Sequence, residues 1–319
     1  MSLSSIGDKG EKMNYLENSL MLIGNTPLVK LNSIKEEYDL KCDIFAKIER
    51  YNLTGSIKDR PVYNMIINAL NEKRIDRNTI LVEPTSGNTG IAIAAISAVL
   101  KMRAVLFMPE NCSIERVKMM KAFGCEIILT KKELGMKGAI EEAEKYHNQH
   151  ENSVILSQFS NSDNKNMHYL TTGREIYSSL DGKVDIFVAG FGTGGTFSGV
   201  SRYLKEQNKD IIAVAVEPFS SPFVSENRKG PHKIQGIGAG FLPDNFDPSL
   251  ADEILKVHDD DAFFFTRELA RKEGLFCGIS SGCNLAAAVS LARRYEKKNI
   301  VTVFPDNGER YLSVEGLYE

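Results

Sequence analysis

One lysine and four glycine-bearing loops hold the residue types that could do chemistry in this chain. Lys58 lies in Gly55-Ser56-Ile57-Lys58-Asp59-Arg60. After it, Pro61, Tyr63, Ile66, Ile67 and Leu70 recur at helical spacing, and proline is tolerated only in a helix's first turn. Lys58 is therefore expected at or just before a helix N-terminus, with Ser56 able to cap it. A cation there opposes the helix dipole, so the amine's pKa is expected to be lowered, as an amine nucleophile requires. A solvated surface lysine is the plain alternative, and the loops must decide between the two.

Pro84-Thr85-Ser86-Gly87-Asn88-Thr89-Gly90 follows an apolar run and opens a small-residue helix. Free backbone N–H groups, the helix dipole and three hydroxyls suit a small anion such as a carboxylate without a basic side chain, and an ordinary capped turn is the plain alternative. Gly190-Phe191-Gly192-Thr193-Gly194-Gly195-Thr196 also links a strand to a helix and matches GxGxxG through Gly190, Gly192 and Gly195. Glu217 ends the next strand, about where a dinucleotide-binding domain keeps its ribose acid. Against that reading, Thr193 and Thr196 supply hydroxyls that suit a terminal phosphate; the loop alone leaves both readings open. Gly236-Ile237-Gly238-Ala239-Gly240 allows close backbone approach, and Gly278-Ile279-Ser280-Ser281-Gly282 places two hydroxyls before a helix.

These loops sit in a chain of 319 residues, 42% hydrophobic and 25% charged, enough for two packed lobes or one large α/β domain. A net charge of −3 gives no reason to expect a nucleic-acid partner or an anionic membrane. The longest apolar run, 91–100, is too short to span a bilayer, and 1–17 is too polar for a signal peptide. Five cysteines without a CxxC pair point to reduced thiols in a cytoplasm, and no metal site is expected. Cys277 and Cys283 read as small core residues, and His168, His232 and His258 lack partners at ligand spacing.

The pattern predicts strands at 43–49, 80–83, 104–108, 125–130, 154–158, 184–189, 211–217 and 300–304. Between and around them it predicts helices at 14–21, 88–100, 113–123, 137–150, 166–180, 196–207, 259–273 and 281–295. Continuous Val/Ile/Leu runs alternating with helices imply parallel sheets covered on both faces. Residues 218–250, rich in Gly and Pro, form one long irregular stretch.

Taken together, these segments resemble the cysteine synthase (O-acetylserine sulfhydrylase) family of pyridoxal-phosphate enzymes, fold type II. The resemblance runs from Ile23-Gly24-Asn25-Thr26-Pro27 to Pro305-Asp306-Asn307-Gly308-Glu309-Arg310-Tyr311 and includes Gln158-Phe159-Ser160-Asn161 and the loops above. It implies an α/β fold of two lobes with twisted, mostly parallel sheets, like the tryptophan synthase β chain. The implied division is a larger cofactor-anchoring domain, 13–52 plus 161–319, and a smaller mobile domain, 53–160, with 1–12 a flexible leader and Met13 a natural start.

For the site, the resemblance implies that Lys58 carries pyridoxal 5′-phosphate as a Schiff base and that Gly192, Thr193, Gly194, Gly195 and Thr196 cradle its phosphate. Ser280 would meet the pyridine nitrogen, and Asn88 the ring hydroxyl. Thr85, Ser86, Gly87, Asn88 and Thr89 would grip the substrate carboxylate, with Gln158 helping and Gly236 alongside. A serine cannot keep the ring nitrogen protonated as a carboxylate would, so the ring is a weaker electron sink and prompt loss of a β-substituent is favoured. Two positions depart from the family pattern: Asn52-Leu53-Thr54-Gly55 stands where Asn-Pro-Gly-Gly or a similar turn is usual, and Asn307 where Ser or Thr is usual. The first bears on substrate identity.

The implied reaction is β-replacement, O-acetyl-L-serine plus sulfide giving L-cysteine and acetate through an aminoacrylate. Alternatives keep the first half and use a thiol or a cysteine donor (cystathionine or lanthionine synthesis, sulfide release), act as a serine/threonine dehydratase, or bind NAD as an oxidoreductase. A homodimer is implied, and a serine acetyltransferase as a further partner.

Overall fold

The computed structural model describes residues 15–319, so the leader expected over 1–12 lies outside the described residues. A 3-10 turn at Ser19–Leu22 leads to β1 (Leu28–Lys30), α1 (Asn32–Glu37) and β2 (Asp43–Ile48). Then come α2 (Asp59–Asn71), β3 (Ile80–Pro84), α3 (Asn88–Leu100), β4 (Ala104–Pro109), α4 (Ile114–Ala122), β5 (Glu126–Thr130), α5 (Gly135–Gln149) and β6 (Ser153–Ile155). The chain continues with α6 (Asp163–Met167), α7 (Arg174–Ser179), β7 (Ile186–Gly190), α8 (Gly195–Gln207), β8 (Ile212–Pro218) and α9 (Phe223–Glu226). It closes with β9 (Glu253–Val257), α10 (Asp259–Glu273), α11 (Ile279–Ala292) and β10 (Asn299–Phe304).

The strands form two sheets. One has four strands in the order β5-β4-β3-β6, all parallel; the other has six, β1-β2-β10-β7-β8-β9, parallel except for β1 against β2. Parallel strands carry covering helices, which is why β4 is buried from end to end and reads as Ala-Val-Leu-Phe-Met-Pro. Helix α3 buries every residue from Thr89 to Ser97, so its run of Ala and Ile reflects contact on all sides. Separate cores form under the sheets, one around Ile44, Phe304 and Leu285, the other around Ile66, Ile93 and Leu106.

Three expectations change. The helix read over 166–180 is α6 and α7 joined by one wide π turn, His168–Gly173, whose glycine lets it lie against Tyr203 of α8: an added Cβ would fall 2.9 Å away. Strand β9, Glu-Ile-Leu-Lys-Val, escaped notice because it is an edge strand with only its last residue buried. The segment read as a helix over 14–21 is, where described, only the 3-10 turn at Ser19–Leu22. No helix among the described residues is long and apolar enough to cross a membrane.

The carboxyl ends of β3, β6, β7 and β10 all deliver residues to one cleft, the place where open parallel sheets bind ligands.

Candidate active site

Lys58 occupies the cap position of α2, and that helix starts at Asp59 as the spacing predicts. Ser56 does not cap it; its hydroxyl accepts from the Lys58 N–H at 3.3 Å inside the turn. The turn is docked on the end of β10: Ile57 N–H donates to the Pro305 carbonyl at 2.8 Å, and Ser56 pairs with Asp306. Gly55 permits this with φ +83°, and an added Cβ would lie 3.4 Å from the Asn307 amide. Lys58 is half-buried and lines the cleft. Its amine is held below its usual pKa, in the direction expected but mainly through burial rather than the helix dipole, while the Asp306 charge pulls it back up.

The cleft has two adjoining parts of about 570 and 720 Å³, counting open space at the mouth, and both are lined by Lys58, Asn88, Gly192, Thr193 and Gly236. At one end Gly192, Thr193, Gly194 and Thr196 surround the N-terminus of α8. Bare backbone is required there. A Cβ on Gly192 would fall 2.4 Å from the Gly236 carbonyl oxygen, and one on Gly194 (φ +85°) 2.4 Å from Phe246 N. Gly195 does not line the cleft; a Cβ there would strike Asn164 Oδ1 at 2.0 Å. Asn164 in turn donates to Thr193 Oγ1 at 3.1 Å and to the Gln158 carbonyl at 2.7 Å.

Thr196 Oγ1 lies 3.2 Å from Nε2 of His168, whose Nδ1 lies 2.9 Å from Thr172 Oγ1. Burial, and then the Arg60 and Lys58 charges, push the His168 pKa far down, so this ring is neutral and structural. Glu217 is spent elsewhere: its carboxylate accepts from Val224 and Ser225 N–H at 2.7 and 3.1 Å and caps α9. The dinucleotide reading thereby loses its ribose acid.

On the facing side, Thr85, Gly87, Asn88 and Thr89 line the cleft at the start of α3. Ser86 does not; its hydroxyl turns toward Met136 sulfur at 3.9 Å, and its carbonyl accepts from Arg116 at 3.3 Å. The Thr89 hydroxyl donates to Gln158 Oε1 at 2.7 Å. Behind them, Glu83 at the end of β3 accepts from the N–H groups of Ser157 and Gln158 at 3.0 and 3.2 Å. Burial pushes the Glu83 carboxyl up to about 7 although those N–H groups favour its charge.

Ser280, in the first turn of α11, lines the cleft, whereas the Ser281 hydroxyl is buried away from it without a partner. Four further residues were not singled out from sequence. Asn284, one turn past Ser280, accepts from Gly190 N–H and donates to the Val303 carbonyl, both at 2.7 Å. A polar pair at i and i+4 in an otherwise apolar helix was the available signal. Asp306 is buried, accepts from Asn88 Nδ2 and from the Tyr311 hydroxyl, both at 2.6 Å, and is pushed up by burial. Arg116 of α4 reaches across the mouth to Gln235 Oε1 at 3.0 Å. No local pattern marks Asp306 or Arg116, because their partners Asn88 and Gln235 are far away in sequence.

An amine at the cleft, a helix N-terminus with two hydroxyls and no room for side chains at one end, and a lone serine at the start of α11 fit pyridoxal phosphate. Among the described residues no three His, Cys, Asp or Glu cluster as a metal site would need.

A family model described as "Pyridoxal-phosphate dependent enzyme" matches residues 20–306. A protein described as cysteine synthase B from Campylobacter jejuni is 47% identical over 303 residues, covering 95% of this chain and 99% of its own. The crystal structure of cysteine synthase from Entamoeba histolytica superposes with TM-score 0.93 at 40% identity, covering 98% and 94% of the two chains. A hydrogen sulfide-producing enzyme from Fusobacterium nucleatum superposes with TM-score 0.88 at 43% identity, covering 93% and 100%. With most of its length matched and its cleft shaped for that cofactor, the chain belongs to the pyridoxal-phosphate dependent enzymes, with the fold type II architecture of the cysteine synthases, and pyridoxal phosphate is its cofactor.

Proposed function

We propose that the protein is a cysteine synthase, replacing the acetoxy group on Cβ of O-acetyl-L-serine with sulfide to give L-cysteine and acetate. The observation that carries this reading is that Lys58, the start of α3 and the start of α8 line one cleft. An amine between two helix N-termini that suit a carboxylate and a phosphate supports the reading.

Bound pyridoxal phosphate supplies a sink for the electron pair left when the α-proton of the donor is removed. Lys58 is the residue to hold the cofactor and, once displaced by the donor, to take that proton on Nζ; its lowered pKa suits a base. The backbone of Gly87, Asn88 and Thr89 and the dipole of α3 would hold the donor carboxylate, with Gln158 turned toward it by Thr89. The backbone of Gly192, Thr193, Gly194 and Thr196 would hold the phosphate, and Ser280 would offer a hydroxyl to the ring nitrogen without fixing a charge on it. A ring left without a fixed charge on its nitrogen would favour loss of the β-substituent over side reactions at Cα.

A second reading follows from the sulfide-producing relative: the same first half with cysteine as donor, releasing sulfide. Steady-state rates with O-acetylserine or cysteine as donor, each against sulfide, cysteine and homocysteine, separate the two. Highest kcat/KM for O-acetylserine with sulfide supports synthesis; highest kcat/KM for cysteine as donor overturns it. A cytoplasmic homodimer able to bind a serine acetyltransferase belongs to the same reading; light scattering and co-elution measure the two associations.

A further inference from the structure

We propose that Arg310 is a positioning residue that fixes which atom Asn88 presents to the cofactor and pins the turn ahead of Lys58. Arg310 sits on the 3-10 turn Gly308–Tyr311 after β10. Its guanidinium forks: Nη1 donates to Asn88 Oδ1 and Nη2 to the Thr54 carbonyl. From the other side Asp306 Oδ2 accepts from Asn88 Nδ2 at 2.6 Å, and the Tyr311 hydroxyl donates to that same oxygen. An asparagine amide can turn over and exchange its oxygen and nitrogen. Here the exchange would set NH₂ against a guanidinium and C=O against a carboxylate, so one orientation is enforced. The second N–H of Nδ2 is then the donor that Asn88 offers to the cleft it lines, suited to an anionic ring oxygen.

The other branch of the fork acts on Lys58. Thr54 donates to Asp59 through its N–H at 2.6 Å and its hydroxyl at 2.5 Å. Its carbonyl receives Arg310, so the turn is held from both sides four residues before the lysine. A Cβ on Gly55 would lie 3.5 Å from Arg310 Nη2, which shows how closely the guanidinium is seated. A lysine at position 310 keeps the charge but serves one acceptor at a time.

This inference rests on the cofactor assignment and is tested by reconstituting apoenzyme with pyridoxal phosphate. Arg310→Lys is expected to shift the visible absorption of the bound cofactor and weaken its binding roughly ten- to a hundredfold, the range for a lost charged hydrogen bond. Asn88→Ala is expected to do the same, and the double variant to lose less than the two single losses combined, because one branch of Arg310 acts through Asn88 while the other holds Thr54. A wild-type spectrum in Arg310→Lys, or spectral changes that add in the double variant, overturns the proposal. Should Arg310→Lys not fold, Asn88→Asp tests the claim from the other end with Arg310 intact. Offering an oxygen in place of N–H, it is expected to bind cofactor at least about tenfold more weakly than Asn88→Ala; equal or tighter binding overturns the proposal. A wild-type protein that takes up no pyridoxal phosphate would instead sink the cofactor assignment.

Discussion

The Thr89 hydroxyl donates to the side-chain oxygen of Gln158 at 2.7 Å, and that contact decides which way the Gln158 amide faces. With its oxygen engaged, Gln158 presents its NH₂ as the donating end, the end that suits a carboxylate. Thr89→Val removes the hydroxyl while keeping the shape. It is expected to raise KM for the amino acid donor about ten- to a hundredfold, from ~1.5–3 kcal/mol per hydrogen bond to a charged group, with a smaller change in kcat. Initial rates against donor concentration check this; an unchanged KM would detach Gln158 from the carboxylate.

Glu83 makes stability depend on pH. Its folded pKa of about 7 lies above its ordinary 4.5, so the folded state keeps a proton that the unfolded chain releases between those values. The stabilisation is therefore full below pH 4.5 and is lost as pH rises to 7, on the order of 3 kcal/mol in total. Asp59, pushed up to about 6 by burial, acts with the same sign over 3.8 to 6; His168, pushed down, acts with the opposite sign below 6.5. Comparison with Glu83→Gln isolates the Glu83 part. Denaturant midpoints of the variant should change less favourably at acid pH, flattening the decline between pH 4.5 and 7. Parallel curves for the two proteins would count against a neutral Glu83.

Arg60 is buried with Glu49, Nε to Oε2 at 2.7 Å, and its Nη2 lies 2.7 Å from Glu175, which also meets Lys47 at 2.7 Å. The two cations hold the Glu175 carboxyl at about 2, although burial pushes the other way. Arg60→Met leaves Glu49 without its ion-pair partner in the core, which should cost about 3–5 kcal/mol. Urea unfolding measures it; a loss below about 1 kcal/mol, the worth of a surface pair, would contradict the burial of the network.

Much of this was legible in the sequence, and for identifiable reasons. Strands β4, β7 and β8 announce themselves because both faces are buried, and Pro61 marks the start of α2 and so the place of Lys58. The loop at Gly192 could be read because glycine is needed where backbone approaches backbone, and the loop at Gly87 because its hydroxyls cluster at a helix start. Arg310 and Asp306 could not, since they work through Asn88 and Thr54, more than 200 residues away in the chain. Ser86 and Gly195 were grouped with their neighbours, yet a loop's sequence does not say which residues face the cleft.

The four-stranded half of the chain is expected to move toward the other half when a donor carboxylate docks, since the contacts of 85–89 favour the closed state by their differential affinity. Methionine has the carboxylate but no β-leaving group, so it should bind and reduce the radius of gyration. Small-angle scattering with and without methionine checks this; an unchanged radius at saturation would dismiss the closure.

The most direct measurement is borohydride reduction of the holoenzyme followed by peptide mapping. The cofactor should be found on the peptide containing Lys58, and Lys58→Ala should retain no covalent cofactor and no turnover. Cofactor trapped on another lysine, or still trapped in Lys58→Ala, would contradict the assignment of Lys58.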